Sequence, residues 1–329
     1  MHIENARFAQ MGKYITKRLL SSLAVMAIVS LVAFAALELI PGNAALVAAG
    51  TEGSSSSLAS LSAEFGLDRG FGERLLLYYR NILSFDFGVS SYFGESVSTL
   101  IGQRLGVTFS LAFFSILLAF MFSVVLGSAA ALGKGKFLDI FSRTVVQLFS
   151  SMPSFWLSLI FLIIFSSMFH LVDVGDYVSP AVSIAGYISS IILPVIVLAI
   201  GETGPLLRLV RASMLRVKNE DWYRIGKVRG IPRIRLIAAY ALRYALPGPL
   251  TLAGSELAKL LGGTAIVESI FALPGLGRLF LTAVEMRDIP LVGGIVIFVS
   301  FLVVLMNLLT DLVLFFSNPT MRKAGGMGL

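Results

Sequence analysis

Few residues in this chain have the types and spacing that chemistry requires. Cysteine is absent, which removes thiol catalysis, Cys-ligated metal and disulfide scaffolds together. The only histidines are His2 and His170. A serine hydrolase needs a nucleophile, a base and an orienting group that can meet. His170 instead ends a long apolar run, where an amphipathic ring commonly sits at a membrane interface without any reaction. The nearest approach to a phosphate-cradling loop is Gly127 to Gly133-Lys134. It has one residue too many before the second glycine, and Gly135 stands where a magnesium-binding hydroxyl belongs, so it is a chance match. No His, Asp or Glu group has metal-ligand spacing. Such a chain reads as a pathway or a scaffold, with no reaction centre and no cofactor of its own.

The remaining candidates are ionisable residues inside apolar stretches: Glu202, Glu256, Lys259 and Asp311. An ionisable group in lipid is costly and generally faces protein or water. Glu256 and Lys259 are three residues apart and share one helix face, where they can neutralise each other. Asp311 lies roughly two turns before Asn318-Pro319, where its helix should end. Two readings stand for each residue: a polar lining of a translocation path, or an internal salt bridge or helix contact.

The elements that must position these groups follow from composition. The 329 residues are 57% hydrophobic and 14% charged, with a mean hydropathy of +0.88. Soluble domains carry roughly 25% charged residues. Spanning lipid takes about 20 mostly apolar residues in a helix, the form that satisfies its own backbone. Six segments qualify: Leu19 to Ile40, Val107 to Leu132, Thr144 to Val172, Tyr187 to Leu207, Leu246 to Phe271 and Pro290 to Ser317. The first is too long for a signal-peptide core and is followed by Leu-Ile-Pro-Gly-Asn, a poor cleavage site, so it should stay as a helix. The fold expected is therefore an all-α membrane protein with six transmembrane helices.

Charge sets the orientation. The net charge is +7, from 26 Lys+Arg against 19 Asp+Glu. With the N-terminus inside, most of the basic residues fall on inner segments, ten of them between Arg208 and Arg243. Positive-inside bias places both termini in the cytoplasm. A basic pI is then a topology signal and not a sign of nucleic-acid binding. The organisation expected is a cytoplasmic N-terminus (1–18), a first span (19–40), an outer loop (41–103), a core of five spans (104–317) and a cytoplasmic tail (318–329). In the outer loop a Gly/Ser-rich stretch precedes Glu73 to Leu83, whose apolar residues recur at helical spacing. The core contains a cytoplasmic loop, 208–243, long enough for two short helices separated by Gly230-Ile231-Pro232.

The first of those helices carries Trp222, Ile225 and Val228 among Arg224, Lys227 and Arg229. Apolar anchors inside a basic rim suit a protein groove with acidic edges. The same composition suits a helix lying on anionic lipid. The full run is Asp221-Trp222-Tyr223-Arg224-Ile225-Gly226-Lys227-Val228-Arg229-Gly230-Ile231, continuing through Tyr240 to Leu246-Pro247. This resembles the EAA loop of ABC importer permeases, in the form used by the dipeptide, oligopeptide and nickel branch. The triplet falls on Arg224-Ile225-Gly226, the loop glycine on Gly230, and the terminal Leu-Pro on Leu246-Pro247. Ile225 replaces a small residue of the pattern and Gly226 replaces alanine, and glycine weakens a helix by up to about 1 kcal/mol. Further stretches resemble the same family: Leu39-Ile40-Pro41-Gly42, Phe65-Gly66-Leu67-Asp68, Asp86-Phe87-Gly88, Leu260 to Gly263, Val267-Glu268 to Arg278, and Asn318 to Arg322. Within the run from Phe271 to Arg278, Pro274 presets one turn dihedral and Gly275 should accept a positive one.

The resemblance implies a type I importer fold and a set of partners. These are a second, similar permease forming the other half of the pathway, two ABC ATPases that hold ATP and Mg, and an extracytoplasmic binding protein that delivers a peptide or similar small solute. It places the chain in a bacterial or archaeal cytoplasmic membrane. It implies that residues 221–230 dock on an ATPase as a coupling helix, and that the turn with Phe271, Pro274, Gly275, Gly277 and Arg278 meets the binding protein. Glu256 and Lys259 stand where the family would be expected to have neutral residues. The rival reading is a secondary transporter or channel without an ATPase. Those folds commonly carry inverted repeats, and no convincing repeat is visible.

Overall fold

A computed structural model describes residue 16 and residues 20–35, 70–132, 136–169 and 175–317. His2, His170, Lys134, the Gly/Ser-rich stretch, Leu39 to Gly42, Phe65 to Asp68, most of the N-terminal tail and the tail from Asn318 lie outside the described residues. The described chain is helical, with one isolated β-bridge between Val89 and Ser96. Its helices are α1 (Leu20–Ala35), α2 (Phe71–Leu83), α3 (Val97–Leu132), α4 (Lys136–Ser150) and α5 (Ser154–Leu162), which runs on into wider π-turns at Ile163–Met168. Then come α6 (Ile184–Asn219), α7 (Asp221–Val228) and α8 (233–245, with π-turns at Leu236–Ala241). The chain continues with α9 (Pro247–Gly263), α10 (Ala265–Ile270), α11 (Leu276–Glu285) and α12 (Ile289–Ser317).

Among the described residues α3, α6 and α12 are each long and apolar enough to cross a membrane alone. The predicted third span is not one straight rod, because α4 and α5 meet at 92°. Pro153 has no N–H with which to continue a helical ladder. The amides of Ser151 and Met152 turn back onto the carbonyls of Gln147, Leu148 and Phe149. The predicted fifth span is also divided, into α9 and α10 around Thr264. Two predicted boundaries move. α3 starts at Val97, so Val97 to Gln103, expected in the outer loop, are helical. α6 runs past Leu207 to Asn219, carrying Arg208, Arg211, Arg216 and Lys218 on the spanning helix itself. At 1.5 Å per residue it is about 54 Å long against about 30 Å of hydrocarbon, so its basic end stands clear of the lipid.

Small residues let these helices approach. α3 and α6 lie side by side and parallel: Ser115 donates to the Val195 carbonyl and Ser123 to the Thr203 carbonyl, both at 3.2 Å. A Cβ on Gly127 would stand 2.9 Å from Val210. Leu111, Ala112, Ala119, Leu198, Ala199 and Leu206 fill the seam between them. α9 and α12 cross where Gly254 meets the Thr310 side chain with no space for a Cβ. Such contacts replace the hydrophobic drive that is missing between helices in lipid. On α1, the carbonyls of Ser30 and Ala27 accept from the Tyr78 and Tyr79 hydroxyls of α2, at 3.0 and 3.2 Å. The amphipathic outer helix is thus seated on the first apolar one.

Overpacking a close crossing costs about 1–3 kcal/mol. Gly254→Leu should therefore lower the thermal unfolding midpoint of the detergent-purified protein. Gly248→Ala, on the same helix with open space around it, should leave that midpoint unchanged.

Candidate functional site

Three polar arrangements stand out, at the inner end of the bundle, at its outer end and between α6 and α9. The inner one is built on α7. Tyr223 and Gly226, three residues apart, are buried against Leu236, Val217, Met214 and Ala241. A Cβ on Gly226 would stand 2.8 Å from Leu236, so the glycine lets α8 close against the α7 backbone. The helix ends in two paired turns: the Gly230 amide bonds the Lys227 carbonyl and the Ile231 amide bonds the Gly226 carbonyl. That end requires a left-handed residue. Gly230 supplies it, with φ at +73°, as its position in the sequence suggests.

The pattern predicts Trp222, Ile225 and Val228 as one apolar surface, and the structure divides them. Ile225 and Val228 are exposed, at 51% and 89%, beside the exposed Asp221, Arg224, Lys227 and Arg229. Trp222 is half-buried against Tyr244, with ring centroids 5.1 Å apart, and belongs to the foundation. Burial pushes the Tyr223 phenol above its ordinary pKa, and the Arg233 guanidinium opposes this as the lesser effect. Lys227 lies over the same ring, 5.1 Å from its centroid. Lys218 donates to the Ala131 carbonyl at 3.3 Å and Arg233 to the Leu132 carbonyl. Two cations thus receive the last carbonyls of α3, where a helix has no partners of its own and its dipole is negative. Lys218 and Arg233 are not singled out by the sequence pattern, and Tyr223 and Gly226, expected there as part of the docking run, are buried beneath it. The signal available was the spacing of Tyr223 and Gly226 on the face opposite Ile225 and Val228.

At the outer end Glu268 is fully buried. One carboxylate oxygen accepts from the hydroxyls of Thr108 and Thr264, both at 2.7 Å, and the other from the Arg278 amide at 2.9 Å. The Thr108 oxygen accepts the Leu276 amide at 2.8 Å. Glu268 thereby caps the N-terminus of α11 and ties the turn to α3. Gly275 does not have the positive φ expected of it; its φ is −105°, and Ala272 takes the left-handed conformation at +53°. A Cβ on Gly275 would collide with the Glu268 carboxylate, and one on Gly277 with Ala265. Both glycines are there for close approach. Phe271 and Gly275 are buried, Pro274 and Gly277 half-buried, and Arg278 is exposed with its guanidinium on the Ala272 carbonyl at 2.8 Å.

Between α6 and α9, Lys259 and Glu256 pair at 3.0 Å. Glu202 on α6 lies near enough to both to be within the field of Glu256 and of Lys259. Three of the four charged candidates therefore share one place. Asp311 is half-buried on α12, next to the Gly254–Thr310 crossing. Lys259 remains 71% exposed while Glu256 is 15% exposed, so the group faces an open side of this chain.

Residues 123–323 match the model of the binding-protein-dependent transport system inner membrane component, and residues 11–112 match its N-terminal companion. The chain belongs to this permease family. A putative peptide transport system permease protein of Brucella abortus is 34% identical over 95% of this chain and 99% of its own length. The dipeptide transport system permease protein of Bacillus subtilis is 29% identical, covering 95% and 98%. The metal-staphylopine import system permease protein of Staphylococcus aureus is 31% identical, covering 95% and 99%. A solved structure of the MetNI methionine ABC transporter in inward-facing conformations shares the fold, with a TM-score of 0.50, 18% identity, and 67% of this chain and 96% of that one covered. The permease thus carries two polar arrangements tied to α3 and a third between α6 and α9.

A buried carboxylate that loses its donors, or donors that lose their carboxylate, costs about 3 kcal/mol or more. In this permease Glu268→Ala should lower the unfolding midpoint more than Glu268→Gln, which keeps two acceptor sites on its carbonyl oxygen. Differential scanning fluorimetry in detergent reads the order.

Proposed function

We propose that this permease is one of two similar membrane subunits of an ATP-driven importer for peptides or solutes of like chemistry, and that α7 is the element through which ATPases move it. Six spans with both termini in the cytoplasm are supported by the distribution of basic residues. The names of the Brucella and Bacillus relatives support a peptide. The metal-staphylopine import relative widens that to a metal-carrying solute. ATP and magnesium belong to the partner ATPases. A binding protein in the extracytoplasmic space of a bacterial or archaeal cell delivers the solute to the outer turn, where Arg278 is the exposed charge.

The observation that carries the reading is the α7 surface. Ile225 and Val228 project from a short helix rimmed by Arg224, Lys227 and Arg229, and behind it Tyr223 and the Arg233 contact with α3 form a stiff base. A protruding apolar pair with basic neighbours fits a groove with acidic edges on another protein. Closure of the ATPases moves α7, and the base passes that movement to α3 and α6. Glu202, Glu256 and Lys259 line the pathway that opens between the two permeases.

Removing residues 222–229 altogether would also remove Tyr223 and loosen the base, so a surface change is the cleaner test. Ile225→Asp with Val228→Asp should weaken docking by about 2 kcal/mol, roughly 30-fold. Solute uptake should fall by at least that factor in vesicles, with the unfolding midpoint and membrane insertion of the permease unchanged. Uptake at the wild-type rate would remove α7 from the mechanism.

A further inference from the structure

The faces that two spanning helices leave open differ in chemistry. On α3 the exposed side carries Phe109, Phe113, Leu117, Met121 and Val125, which lipid accepts. On α9 it carries Thr251, Ser255 and Lys259, each four residues from the last and so on one side of the helix. Ala253, Leu257 and Leu261, on the opposite side, are packed into the core. An open ammonium within a span needs water or protein in front of it, because lipid makes it costly. The stripe lies between the two polar ends of α3. Glu202, which adjoins it from α6, precedes Thr203, whose carbonyl accepts from Ser123. Along α3, Ser123 is about 14 Å from Leu132 and about 23 Å from Thr108.

At this stripe one ammonium stands against two carboxyl groups. Lys259 donates to Glu256 at 3.0 Å, and both lie in the field of Glu202. The pair is uneven, since Lys259 is 71% exposed and Glu256 15%. An incoming group therefore meets the ammonium before the acids. A zwitterion matches such a group. Its carboxylate can take the Lys259 ammonium as a charge-assisted partner, and its own ammonium can take the acid that Lys259 then releases. The exchange keeps the charges paired. A solute that carries only one of the two ends would instead leave Glu256 or Lys259 without a partner inside a span, which is costly.

We propose that Glu202, Glu256 and Lys259 recognise the two charged ends of a zwitterionic solute, Lys259 its carboxylate and the glutamates its amino group. This role rests on the reading that the group lines the pathway. Saturation-transfer-difference NMR tests it on the purified full-length permease, with whatever subunits co-purify and no binding protein added. The probes are alanyl-alanine, N-acetyl-alanyl-alanine and alanyl-alanine amide at equal millimolar concentrations. The unblocked dipeptide should give at least five-fold the signal of either blocked one. Lys259→Gln should abolish its advantage over the amide and keep its advantage over the N-acetyl peptide. Glu202→Gln with Glu256→Gln should do the reverse. Lys259 is largely exposed, so its variant keeps the fold. Equal signals from all three peptides, or an unchanged ranking in K259Q, would overturn the recognition. The absence of cysteine lets the pathway be read separately, by labelling Ser255→Cys with a membrane-impermeant methanethiosulfonate in vesicles of either orientation. Labelling without any charge ranking would overturn the recognition and leave the pathway in place. No labelling from either side would overturn both.

Discussion

A helix that stops at the edge of lipid leaves its last carbonyls without partners, and most of this molecule's polar architecture follows from how α3 meets that constraint. Lys218 and Arg233 reach the Ala131 and Leu132 carbonyls from two different helices. These charge-assisted bonds fasten α3 both to the end of α6 and to the helix that supports α7. Near its other end, Thr108 donates to Glu268 and accepts from Leu276. Thr108 and Leu132 are 24 residues apart, about 36 Å of uninterrupted helix. A rod with both ends hydrogen-bonded into separate polar sites transmits a displacement with little loss, because no joint between them is soft.

The same logic explains why so apolar a chain keeps fully buried carboxylates. Asp288 accepts from the Ser90 hydroxyl, from the Tyr92 amide at 3.1 Å and from the Leu291 amide at 3.2 Å. It caps α12 while binding the loop that precedes α3, as Glu268 caps α11 while binding α3 itself. Both acids are anchored by hydroxyl and amide donors at a helix N-terminus, whose positive dipole end substitutes for a cation. Neither is matched by a buried lysine or arginine among the described contacts. In a low-dielectric surrounding a fully satisfied network is rigid, and a half-satisfied one is costly. The outer face is consequently fixed from two points, one under the Ala272 turn and one under the loop from Val89 to Ser96.

Hydropathy located the helices well and their ends poorly, for a physical reason. It measures what lipid tolerates, while the helix continues as long as its backbone can pair. α6 therefore crosses into water as one helix, through basic residues that read as loop. The break between α4 and α5 lies in a run without Asp, Glu, Lys or Arg, and Pro153 was its only local mark. Gly230 was legible because its cause is local, a left-handed helix end. Gly275 was not, since its cause is a contact with Glu268 seven residues away. Glu256 and Lys259 could be paired from spacing alone, but the approach of Glu202 required the packing of α6 on α9. Tyr223 was legible as a member of the 221–230 run but not as its buried anchor, because its neighbour Trp222, the larger ring, takes the less buried position.

The charges on α6 also restrict how that helix can move. One side holds Glu202 against Glu256 and Lys259, and the α4 side carries Arg211 and closes tightly at Gly204. Rotation of α6 about its own axis by roughly 120–180° would bring arginine toward the lysine and leave the glutamate against α4. The Ser150 bonds to the Ile200 carbonyl and the Gly204 amide, which hold α6 against α4, would be lost. The Lys218 contact with α3 would break as well. Tilting or sliding of α6 together with α3 preserves the Lys218 contact and the Ser115 and Ser123 bonds along their seam. The polar contacts thus favour movement of α3 and α6 as a unit, with displacement taken up at the α4–α5 bend and at the break between α9 and α10, where the helical ladder is already interrupted.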